Sequence, residues 1–187
     1  ITWAAFGVMG TDTVVMGDVV TVWGELGTVL HEFADNGIEV MAVHNHLAGE
    51  VPRLTYVHYM GRGSAVALAT KLRNIIARTG APWPVVARPP APATIDTALL
   101  FGELGASGRV NGNVAQLSFN FVPGGVILGG QPVPAPLAYA SPINVQRVTA
   151  RRAVATGDFT VPGAKVSGVL AALARAGITA TAMHSHL

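Results

Sequence analysis

With 187 residues, half of them hydrophobic and only 12 % charged, the chain can bury a substantial core and is not a disordered polypeptide. A formal charge of +2, with basic residues scattered apart from Arg151-Arg152, excludes a basic, aromatic-interleaved nucleic-acid surface. No cysteine is present, which removes disulfides and thiolate metal sites, and no apolar run reaches the ~18 residues of a membrane span.

In chain order, an apolar segment at 1–6 leads to a strand at 13–17 that ends in Gly17-Asp18. Leu26, Val29, Leu30 and Phe33 recur at helical spacing and predict one buried face on a helix over 24–36, stopped by Gly37. A strand over 38–46 carries His44 and His46. A loop over 47–52, a strand over 53–60 and a turn at 61–63 follow. Ser64 then caps a helix running to about residue 79, with Gly80 as its stop. Residues 82–92 read as a proline-rich connector, and Thr94 as the cap of a short helix to 103. Strands are expected around 111–113 and over 114–122, and 124–136 reads as a loop.

The remainder repeats the start. Between 17–47 and 157–187 there are 11 identities in 31 ungapped positions, where chance would give roughly two. Gly17-Asp18 returns as Gly157-Asp158, and the apolar helix face as Val166, Val169, Leu170 and Leu173. Gly37-Ile38 returns as Gly177-Ile178, and His44-Asn45-His46-Leu47 as His184-Ser185-His186-Leu187. A second histidine strand is therefore expected over 178–186. The expected fold is α+β, a tandem duplication of a strand–helix–strand–strand–helix unit, with mixed or antiparallel sheets covered by helices. Residues 1–92 form the first repeat, 93–140 a connection and 141–187 a second, truncated repeat, packed as one unit. The missing counterpart of 48–79 leads us to expect a fragment of a longer protein.

Histidines two apart on a strand share a face and can reach one ion. The first motif, His44-x-His46-x-x-x-Glu50 with His58 on the next strand, supplies three imidazoles and a carboxylate. His184 and His186 add a second or shared site. These donors suit a divalent transition metal, zinc first, with manganese, iron, nickel or copper as alternatives. If the site is catalytic, metal-assisted hydrolysis is the fitting class, with Glu50 as ligand or general base. The plainer alternative is a non-catalytic structural or ligand-binding protein, without metal, whose histidines make polar contacts between repeats. Asp18 and Asp158 read first as turn formers, and as residues orienting a histidine second. Whether the protein is an enzyme, which small-molecule or envelope ligand it takes, and whether it forms a homo-oligomer all stay open.

The string His44-Asn45-His46-Leu47-x-x-Glu50-x-Pro52-Arg53 with Tyr56-x-His58 resembles the LppY/LpqO family of bacterial secreted proteins and lipoproteins. Trp3-Ala4-Ala5-Phe6, Met16-Gly17-Asp18, residues 141–146, Thr156-Gly157-Asp158-Phe159 and the second histidine pair extend the resemblance over nearly the whole chain. It implies a secreted, periplasmic or envelope-associated protein with no established activity. It also implies a further Glu-x-Pro-Arg and histidine beyond the second pair, which this chain lacks.

Overall fold

A computed structural model describes residues 2–81 and 95–186. The connector at 82–92 and the Thr94 cap fall outside the described residues. The fold is α+β with antiparallel sheets.

The first sheet has the order β1 (Trp3–Met9), β2 (Asp12–Val22), β4 (Leu54–Gly63) and β3 (Glu39–His44). Strand β2 is buried on both faces, and its alternation divides two cores. Val15 and Val19 meet Val57 and Tyr59 of β4 beneath helices α1 (Trp23–Asp35) and α2 (Ala65–Ile76), where Phe33, Leu68, Leu72 and Ile75 close the layer. Val14 and Met16 face the other way, toward a hairpin of β7 (Val126–Leu128) and β8 (Gln131–Val133) and the short helix α4 (Ala135–Ala138). The segment 124–136, expected as a loop, therefore holds this hairpin and the start of α4. Its glycine pairs 124–125 and 129–130 all have positive φ and form the turns rather than breaking the strands.

Other boundaries also move. Residues 61–63, expected as a turn, continue β4, because they pair with Thr13, Val14 and Val15 of the long strand β2. Helix α2 ends at Ile76 rather than near Thr79, although Ser64 caps it as expected, accepting from Ala67 N at 3.3 Å. Asp96 caps α3 (Thr97–Glu103) by accepting from Leu99 N at 3.0 Å. Glu25 links two helices. It accepts from Val22 N at 3.0 Å and Gly80 N at 2.6 Å, tying the start of α1 to the end of the α2 segment.

The second sheet has the order β10 (Arg152–Gly157), β9 (Ser141–Thr149), β6 (Val114–Phe119) and β5 (Gly108–Asn111). Helix α5 (Val166–Arg175) follows it, and Gly177 ends that helix with φ +72°. The strand expected over 178–186 is not formed. In the first sheet the histidine strand β3 pairs with β4. Among the described residues, 178–186 pairs with no strand of the second sheet. It crosses instead to the first half, where Thr181 Oγ1 donates to the His46 carbonyl at 2.9 Å.

Candidate functional site

The site lies on the α4 side of the first sheet. Cross-strand register sets Trp3 opposite Asp18, Asp18 opposite His58, and His58 opposite Ala42. One step along, Tyr56 stands opposite His44. Asp18, His58, Tyr56 and His44 therefore share one face, with His46 just past the end of β3.

Asp18 sits in the middle of β2 and not at a turn. β2 runs straight through Gly17-Asp18, and Gly17 leaves room for it: a Cβ there would collide with the Trp3 carbonyl and lie 2.7 Å from the Tyr59 hydroxyl. One carboxylate oxygen of Asp18 accepts from the Trp3 indole at 2.8 Å, and the other faces His58 Nδ1 at 3.2 Å. Burial pushes the Asp18 carboxyl up, but the hydrogen bond and charge of His58, helped by Trp3, more than offset this. Its pKa falls below the ordinary value.

The crossing segment completes the cluster. The His184 and His44 rings stack at 4.1 Å, and the His186 and His58 rings lie 4.4 Å apart. His46 lies 5.1 Å from His44 and stacks on Tyr56 at 3.8 Å. The two histidine motifs, 140 residues apart in sequence, thus form one cluster. Glu50 does not join it. Its carboxylate accepts from Leu54 N at 3.1 Å and caps the entrance to β4.

The ring nitrogens are not equivalent. His58 has both engaged: Nδ1 faces Asp18, and Nε2 faces the His186 carbonyl at 3.3 Å. His186 holds the Ala138 carbonyl through Nδ1, and His184 Nδ1 lies 2.9 Å from the Ser185 carbonyl. His44 bonds the backbone of Asn45, and its Nε2 is buried with no partner among the described residues. The stacked rings do not converge on a point. Among the described residues, no three His, Asp or Glu side chains are grouped as ligands of one ion.

Burial, with the charges of His184 and His46, pushes the His44 pKa down to about 4. Burial and His58 push His186 down as well. Both rings are therefore neutral, and open to an electrophile, at neutral pH. An unfolded histidine takes up its proton near pH ~6.5, whereas folded His44 resists it until about 4. Stability from this group is present above the unfolded value and is lost as pH falls through that window. With chelator present, denaturant midpoints should drop between neutral pH and about pH 4, and less steeply in His44→Gln. Identical pH slopes for the two proteins would remove His44 from the explanation.

Sequence reasoning could not have found the Ala138 carbonyl or the Thr181 tether, because backbone acceptors and single threonines carry no motif. The recurrence of Asp after Gly at 18 and 158 was the available signal for Asp18.

Residues 1–78 and 100–187 match the model of a family described as Domain of Unknown Function (DUF1259), and the chain belongs to that family. No curated protein and no solved structure matches it.

Proposed function

We propose that the histidine cluster binds a divalent transition metal, with His44, His184, His46 and His186 as ligands. One observation carries this reading. His44 Nε2 is buried without a partner among the described residues, and it sits in a ring stacked on His184. An orphaned buried nitrogen costs stability unless something occupies it. In both His44 and His184 the ring bonds the backbone of the following residue, which leaves Nε2 as the free donor. Ligation asks the stacked rings to rotate so that their edges converge.

Neutral imidazoles suit zinc, our first candidate, with manganese, iron, nickel or copper as alternatives. Asp18 and His58 act as the support: they hold the His186 backbone against the sheet. Glu50 stands aside, so the proposal is binding first. If the site hydrolyses a substrate, the ion supplies an activated water, and the chain supplies its position.

The proposal includes a tandem duplication. In support, the hairpin β9–β10 followed by α5 repeats the order of hairpin β1–β2 followed by α1. We place the protein in the bacterial envelope or outside the cell, on the LppY/LpqO resemblance. The second reading is a metal-free structural or ligand-binding protein. It is favoured by the ring stacking and by the hydrogen bonds that already occupy His58 and His186.

Metal analysis of protein purified without a histidine-affinity step separates the two. A stoichiometric transition metal, or stoichiometric zinc uptake by titration, supports the first. Folded protein that neither carries nor takes up metal refutes it.

A further inference from the structure

The charge of the molecule is unevenly spread. Residues 2–81 carry seven acidic and five basic side chains, a balance of −2. Residues 104–187 carry six basic side chains against one acidic, Asp158, a balance of +5. Half of those six, Arg147, Arg151 and Arg152, lie within six residues at the turn between β9 and β10.

That turn is built. The Arg147 guanidinium donates to the Thr149 carbonyl at 3.0 Å and the Ala150 carbonyl at 2.7 Å, which fixes the loop. Arg151 and Arg152 follow at its tip, both exposed, and among the described residues neither forms an ion pair. The acidic neighbour, Asp96, already accepts from Leu99 N as the cap of α3. Strand pairing jumps from Arg152–Thr149 to Ala153–Arg147, so a bulge leaves Val148 without a cross-strand partner. Val148 is 60 % exposed and Val154 is 49 % exposed. Arginine and exposed valine therefore alternate around one hairpin tip, beside a shallow depression of about 310 Å³ lined by Ile95, Asp96 and the three arginines.

We propose that this hairpin tip docks on the surface of an anionic lipid bilayer. Guanidinium groups bind headgroup phosphates in bidentate fashion, and the valines beside them suit the acyl boundary. A nucleic acid fits less well, because among the described residues no aromatic ring lines the depression at the tip for a base to stack on. The proposal does not depend on the histidine cluster.

The test is sedimentation of the full chain with vesicles of phosphatidylcholine alone, or of phosphatidylcholine with phosphatidylglycerol. Wild type should partition onto the anionic vesicles only and be released by salt. Arg151→Glu with Arg152→Glu should lower that partition by about 30-fold or more. Arg73→Glu, an exposed arginine on α2, should leave it unchanged. Circular dichroism checks folding, and a glutamine pair at 151 and 152 replaces the glutamates if they disturb the hairpin. Absent binding, equal binding to neutral vesicles, undiminished binding by a folded double variant, or preference for single-stranded nucleic acid would each overturn the proposal.

Discussion

His44→Ala combined with His184→Ala is expected to abolish stoichiometric metal binding while leaving the fold in place. The two rings are paired at 4.1 Å, and they are the first histidines of the two motifs. Loss of a supporting residue typically costs about 10–100-fold in metal affinity. Loss of two ligands should exceed that, whereas Asp18→Asn should fall within it, because Asp18 supports the cluster through His58 and is not one of its ligands. Zinc titration with a competing chromophoric chelator measures all three proteins. If the double variant binds as wild type does, the ligands lie elsewhere; if Asp18→Asn matches the double variant, Asp18 is itself a ligand.

The second large effect concerns stability. Phe33 is fully buried and packs on Tyr59 with ring centroids 5.2 Å apart. Phe33→Ala should cost about 3–5 kcal/mol, a fall in Tm on the order of 10 °C. Leu173 lies on α5, 140 residues later in the sequence, and is only half-buried. Leu173→Ala should cost about 1 kcal/mol. Thermal denaturation compares them. Equal losses would mean that α5 is packed as tightly as α1, contrary to its lack of any buried residue.

Local signals in the sequence reached far into the first half. The apolar spacing of α1, the Ser64 cap and the glycine stop at Gly37 reflect interactions within a few residues, and these features stand where the pattern put them. The failures came where a distant partner decides. Residues 178–186 have the same motif as β3, but a strand needs a neighbour, and the motif cannot say whether one is present. Residues 61–63 look like a turn until the length of β2 offers them pairing. The hairpin at β7–β8 was hidden by its own glycines. The histidines were legible as a set. The division among them was not, since it depends on backbone carbonyls of Ala138, His186 and Ser185 that no side-chain pattern encodes. Glu50 matched the spacing of a ligand but was taken by the nearer amide of Leu54.

The crossing of 178–186 onto the first half also bears on how the chain is held closed. An ion shared by His44 and His184 would be a clasp on a loop of 140 residues, the separation of the two positions. In chain-entropy terms a covalent bridge over a loop of about 100 residues contributes about 4–5 kcal/mol, because it shrinks the unfolded ensemble. The unpaired segment at 178–186 would then need no sheet to hold it. The ion would do for it what β4 does for β3.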